Sequence, residues 1–195
     1  MAHFKGIEVL TKCLCVDADN IVEDEDDAPV CSCKAAAGAE CCVDNKCTNF
    51  AMQIECVECS PACRNNRIRL RRNAAMSVRE TPGKGHGLFI EQDLPRNAFV
   101  MEYVGEVISA KEFVRRNSER KGDVHAFIMI IKRTVYIDAR NKGNESRFIN
   151  HSCEPNCTTG EAHLPPDAAY LHPRLTPPPL LPSFKSRGSS TAACA

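Results

Sequence analysis

Two stretches carry side chains whose types and spacing could do chemistry. RFINHSCEPNC, Arg147 to Cys157, sets Asn150, His151 and two cysteines beside an apolar Phe-Ile pair and a proline turn. Such a set could hold a metal, present a nucleophile or line a cofactor pocket, and these residues alone leave all three open. CSCKAAAGAECCVDNKCTNFAMQIECVECSPAC, Cys31 to Cys63, is more specific. Structural zinc takes four thiolates in a tetrahedron, and short spacings such as C-x-C and C-x2-C let one turn supply two ligands. Seven thiolates fill two such sites when one sulfur bridges both metals. The spacing suggests Cys31, Cys33, Cys41 and Cys47 for one site and Cys41, Cys56, Cys59 and Cys63 for the other. Cys42 adjoins Cys41 and could bridge in its place, so that choice stays open.

Composition bears on the metal reading. The chain has 195 residues, 43% hydrophobic, with 13 cysteines and a formal net charge of zero. That length allows one ordinary domain or two small ones. The N-terminal MAHFKGIEVL lacks a basic start and a long apolar core, so it does not read as a signal peptide. No stretch approaches the roughly 18 apolar residues of a membrane span. A soluble intracellular protein is expected, in which dense cysteines favour thiolate–metal bonding over disulfides. Charges are clustered: Glu23 to Asp27 is a run of five acids, and Arg64, Arg67, Arg69, Arg71 and Arg72 form a basic group. Either could be a solvated segment. The arginines directly follow the cysteine cluster, and as a surface they suit DNA phosphate or an acidic partner.

The elements that must position these residues divide the chain into four parts. Residues 1–27 read as an acidic flank, with Cys13 and Cys15 unassigned. Residues 28–73 form a cysteine-rich module with too little apolar surface to fold unstapled. From residue 74 to 159, MSVRE, GLFIE, AFVMEYVGEVI, AFIMII and TVYID are short β-prone runs separated by turn-forming TPGKG, DLPRN, KGD and NKGN. One helix is expected in AKEFVRRNSER, because Ser109 and Glu112 have the spacing of a capping box. Residues 160–195 hold seven of the twelve prolines with neither strand nor helix period, the signature of disorder.

The cysteine pattern ending in CRNNR and leading into the β region resembles the AWS module that precedes the SET domain of histone-lysine methyltransferases. GKGHGLFIEQDLPRNAFVMEYVGEVI resembles the first SET motif, and YIDARNKGNESRFINHSCEPNC the second. The resemblance implies a mainly β protein with short helices: a SET-type β-clip fold, incomplete at its C-terminus, behind a zinc-stapled AWS module with two zinc ions. It implies an S-adenosylmethionine pocket lined by Lys84, Gly85, His86, Gly87, Asn150 and His151, with Arg147 a clamp on the same loop. Tyr103 and Phe127 match the channel for the substrate lysine, whereas Ala126 departs from a tyrosine expected near it. Cys153 resembles a ligand of a third zinc, completed in the family by later cysteines.

The implied activity is methyl transfer to a histone tail in a nucleosome, of the histone H3 lysine-36 type, in the nucleus and on chromosomes. The alternative is a non-catalytic, zinc-stabilised chromatin-binding module with a SET-like shell. After Thr159 nothing resembles the family's ELTFDY segment with its catalytic tyrosine: Tyr170 lies in DAAYLHP, and Cys194 is the one further cysteine. The sequence therefore predicts a SET core cut short or mis-spliced after NHSCEPNC, without the third zinc and weak or inactive by itself.

Overall fold

The computed structural model describes residues 4–17, 30–33, 40–43, 46–52, 54–56, 59–95, 98–119, 127–132, 134–162, 172–176 and 193–194. The acidic run at 23–27, Ala126 and Tyr170 lie outside these residues. In chain order come β1 (Glu8–Val9), β2 (Leu14–Cys15) and the short α1 (Thr48–Ala51) within the cysteine-rich segment. Then follow β3 (Met76–Thr81), β4 (Gly85–Ile90), β5 (Glu106–Ser109), α2 (Ala110–Glu119), β6 (Ile128–Lys132), β7 (Val135–Asp138) and β8 (Lys142–Gly143). A 3-10 turn (Glu145–Phe148) leads to β9 (Asn150–His151), β10 (Thr158–Ala162), β11 (His172–Thr176) and β12 (Ala193–Cys194). The expected mainly β architecture with short helices is what forms.

β3 and β4 are an antiparallel hairpin in register from Met76↔Ile90 to Thr81↔Gly85. Its turn needs glycine, since Gly83 and Gly85 adopt φ of +74° and +69°, where a Cβ is strained. Leu88 and Ile90 pack with Val100, Met101 and Phe148 in one core. A second core, built from Tyr103, Val104, Val107, Ile131, Val135 and Ile137, lies in the four-stranded sheet ordered β2-β5-β7-β6. Gly105 is obligatory for a different reason. A Cβ there would stand 2.7 Å from the Asp138 carbonyl oxygen, so the two backbones could not approach.

The run at 98–108 is read from sequence as one strand, but only Glu106–Ser109 is laddered. Val100, Met101, Tyr103 and Val104 are all buried, so this stretch threads between the two cores instead of lying on one sheet face. The expected helix forms as α2, and its N-terminus refines the capping-box reading. Ser109 Oγ accepts from the Glu112 N–H at 3.3 Å. The Glu112 carboxylate does not reach back; it takes Arg115 and Arg116 instead. Those two guanidinium groups hold its carboxyl down to about 2. Asp17 fills the vacated role by accepting from the Ser109 N–H at 3.0 Å.

The N-terminal segment, read from sequence as a flank, is threaded into the fold. β1 runs parallel to β8, β2 runs parallel to β5, and Phe4 packs edge-on against Phe148 with centroids 5.5 Å apart. Beyond Thr159, where the sequence suggests coil, β10 pairs with β11 from Thr158↔Thr176 to Ala162↔His172. Pro173 is compatible with that pairing because a two-stranded ribbon leaves it on an edge. β12 lies parallel to β9, with Ala193 opposite Asn150 and Cys194 opposite His151.

Candidate functional site

The hairpin turn at the start of β4 and the short strand β9 are 64 to 67 residues apart in sequence and meet in space. The Asn150 side chain donates from Nδ2 to the His86 carbonyl at 3.3 Å, and the Lys84 ammonium donates to the His151 carbonyl at 3.4 Å. His86 also leans on Phe148, with ring centroids 5.8 Å apart. Lys84, Gly85, His86, Asn150 and His151 thus form one constellation, and Gly87 continues it opposite Arg79 in the ladder. Nothing lies within 4 Å of the place a Gly85 Cβ would occupy. The bare, open backbone at this point is flanked by an exposed ammonium and an exposed imidazole.

Arg147 is placed differently from the rest. Its guanidinium lies over the Phe127 ring at 4.1 Å and faces Phe148 at 5.3 Å. Its Nε and Nη2 donate to the carbonyls of Ala139 and Arg140 at 2.9 and 3.2 Å. It braces Phe127 and the Ala139–Arg140 backbone rather than the Lys84–His86 backbone. Phe127 sits at φ +25°, a strained value for an aromatic residue, and its carbonyl accepts from the Ala139 N–H at 2.8 Å. Tyr103 is buried on the same side, and burial pushes its hydroxyl up against the lowering pull of Arg147. Sequence reading missed Phe148, the ring that links the His86 and Arg147 halves of the site. Its place inside RFINHS is the signal that points to it.

The cysteine module brings sulfurs into two groups, each within 4.8 Å: Cys31, Cys42, Cys47 and Cys56, and Cys41, Cys42, Cys59 and Cys63. Cys42 is common to both, which answers the question left open between it and Cys41. The partition also departs from the spacing-based one. Cys33 belongs to neither group, its Sγ lying 4.0 Å from the Lys46 carbonyl. Cys56 joins the first group because the chain between Cys47 and Cys56 folds back through α1, bringing the two sulfurs to 3.8 Å. Burial pushes the Cys42 thiol up, and the crowding thiols of Cys59, Cys31, Cys63 and Cys41 add to this. Cys31 moves the other way: its desolvation is outweighed by the Cys33 N–H and neighbouring thiols, which hold it down to about 7. Two four-sulfur groups that share one ligand, seven sulfurs in all, could hold two zinc ions.

Beside this module the arginines form a loop. Arg72 N–H donates to the Arg67 carbonyl at 2.8 Å, and Arg71 takes a left-handed φ of 51°. Glu55 is buried and accepts from the Ile68 and Arg69 N–H groups at 2.7 and 3.0 Å, fixing the loop to the module. Arg64 pairs with the Glu40 carboxylate at 2.8 Å. Desolvation and the charges of Arg64 and Arg72 lower Arg67's hold on its proton. Outside the SET-like constellation, Cys153 is exposed with Sγ 3.8 Å from His151 Nε2, while Cys157 is buried in the first core. Cys13, unassigned by sequence, is buried with its thiol 3.6 Å from the Tyr103 carbonyl.

Comparison with known proteins agrees with this geometry. Residues 85–167 match the SET domain family. The match extends past residue 159, where the sequence motifs fade. The chain is 38% identical over 160 residues to "Histone-lysine N-methyltransferase, H3 lysine-36 specific" of Chaetomium globosum, covering 77% of this chain and 18% of that relative. It is 43% identical over 136 residues to "Histone-lysine N-methyltransferase SETD2" of Mus musculus, covering 67% and 5%. A Schizosaccharomyces pombe relative, also named H3 lysine-36 specific, is 34% identical over 160 residues, covering 77% and 20%. The chain thus spans a fifth or less of the length of these curated relatives.

Proposed function

We propose, for a chain that belongs to the SET-domain family of histone-lysine methyltransferases, S-adenosylmethionine-dependent methyl transfer to a lysine of histone H3, of the lysine-36 type. The observation that carries this reading is the meeting of the Lys84–His86 turn with Asn150 and His151. In it, Lys84, Gly85, His86, Gly87, Asn150 and His151 hold the cofactor, which when bound supplies an electrophilic methyl group. Tyr103 and Phe127 wall the passage for the lysine. A free lysine has a pKa near 10.4, so at neutral pH only about one in a thousand is nucleophilic. The buried, largely apolar walls strip water from the amine and favour its neutral form. Alignment of the amine with the methyl group then supplies much of the rate. The test is transfer of labelled methyl from S-adenosylmethionine to nucleosomes: labelling of H3 at lysine-36 by the parent alone should be weak, and Asn150→Ala should abolish what there is.

Two zinc ions in the cysteine module complete the reading, and the protein acts on chromatin in the nucleus. No helix among the described residues is long and apolar enough to cross a membrane. The Arg64–Arg72 loop contacts DNA phosphate. Arg67→Ala with Arg72→Ala should therefore weaken duplex DNA binding irrespective of sequence. The slope of log K against log salt should shrink by about one per contact removed. Unchanged salt dependence would remove DNA from the account.

A further inference from the structure

Arg147 is 7% exposed and carries a charge that guanidinium does not give up. A buried cation is ordinarily paired with an acid. This one is not: its donors reach only the Ala139 and Arg140 carbonyls, and among the described residues no carboxylate pairs with it. The charged and titratable groups around it are otherwise committed. Asp138, at the end of β7, holds Arg140 at 2.7 Å and Arg116 at 3.0 Å. Glu102 bears on Cys13, and both Tyr103 and Cys13 are neutral because burial pushes their ionisation up. His86 stands on the far side of Phe148. Among the described residues no acid balances this charge, which lies over the Phe127 ring at 4.1 Å.

We propose that Arg147 is a positioning residue whose unbalanced charge repels the ammonium form of a lysine entering between Tyr103 and Phe127 and so selects the neutral, nucleophilic amine. This rests on the channel assignment above. It gives the deprotonation a source within the protein, beyond desolvation alone. The proton leaves to solvent, and the amine keeps its lone pair for attack. A unit charge some 6–10 Å away, at an effective dielectric of about 20, shifts a lysine by roughly one to two pKa units.

The test is binding rather than turnover. An H3 peptide centred on lysine-36 is compared with the same peptide carrying norleucine, which keeps the stem and lacks the charge. The parent should prefer norleucine at pH 7, and the gap should begin to narrow about one to two pH units below 10.4 and close near 10.4, where the free lysine neutralises. Arg147→Met should cut that preference about 10- to 100-fold, and Arg147→Lys should keep it. A gap that does not change with pH, or an equal preference in parent and Arg147→Met, overturns the proposal alone. If the methionine variant does not fold, Arg147→Gln, which keeps polar donors without the charge, takes its place. If neither peptide binds the parent, the channel assignment falls, and this inference with it.

Discussion

Replacing Cys42 with serine is expected to release both metal ions from the cysteine module, the largest single-residue effect we anticipate. Cys42 Sγ is the one sulfur present in both four-cysteine groups, so its loss opens two tetrahedra at once. Little else would hold the segment. Its buried cluster consists of Cys41, Cys42, Cys47, Cys56 and Cys63, with Phe50 the chief conventional apolar side chain beside it. α1 has four residues, far below the length at which a helix persists alone. Structural zinc contributes roughly 10–16 kcal/mol of apparent binding free energy to such modules, and that energy is their folding energy. Elemental analysis of reduced protein should give two zinc ions per chain for the parent, two for Cys13→Ser and fewer than one for Cys42→Ser. Retention of one ion by Cys42→Ser would show that the sulfur is not shared.

Removal of the Asp138 carboxylate should be nearly as damaging. Asp138 is 1% exposed and accepts from Arg140 at Nε and at Nη2, from the Arg140 N–H, and from Arg116 Nη1. Arg116 reaches it from α2 while also pairing with Glu106 at 2.9 Å. α2 buries none of its own residues, so this ion cluster and the stacking of Phe113 on Tyr136, centroids 4.4 Å apart, are what fasten it to the sheet. Asp138→Ala leaves two guanidinium groups short of charge, one of them buried, and should cost about 3–5 kcal/mol. Glu119→Ala, which removes only an exposed partner of Arg115, should cost less than about 0.5 kcal/mol. Denaturant midpoints compare the two; equal losses would contradict the assignment. Burial alone would raise the Asp138 carboxyl, but the hydrogen bonds and charges of Arg140 and Arg116 outweigh it and lower it. Its contribution is therefore present above the unfolded carboxylate pKa of about 3.9 and is lost as pH falls through the lower folded value. Asp138→Ala should flatten that acid limb of the stability profile.

Local signals in the sequence were enough for β3, β4, β6, β7 and α2, because strand alternation, turn glycines and the Ser109 cap act within a few residues. The cysteine module was legible as a metal site, since the spacing of thiols is itself a local constraint. Its partition was not: the route of the chain through α1, which carries Cys56 to Cys47, depends on folding that spacing does not encode. Cys42 and Cys41 are adjacent, and which one faces both groups is decided by the φ of 57° at Cys42. The N-terminal strands were illegible because two residues each is too short to show a period; their pairing with β8 and β5 is long-range. Asn150, His151 and the Lys84–Gly87 turn could be brought together only through resemblance to a family. That the Arg147 guanidinium turns toward Phe127 was not legible either, because sequence proximity to Asn150 does not fix its direction.

The most direct test is a calorimetric titration of S-adenosylmethionine into the purified chain, beside Asn150→Ala. The Asn150 amide ties β9 to the His86 carbonyl, and a buried polar group left without its partner costs about 1–3 kcal/mol. Saturable binding by the parent, weakened roughly 5- to 150-fold in Asn150→Ala with circular dichroism unchanged, is the predicted result. Equal affinity in the two proteins, or no heat of binding in the parent, would contradict a cofactor site at the meeting of β4 and β9.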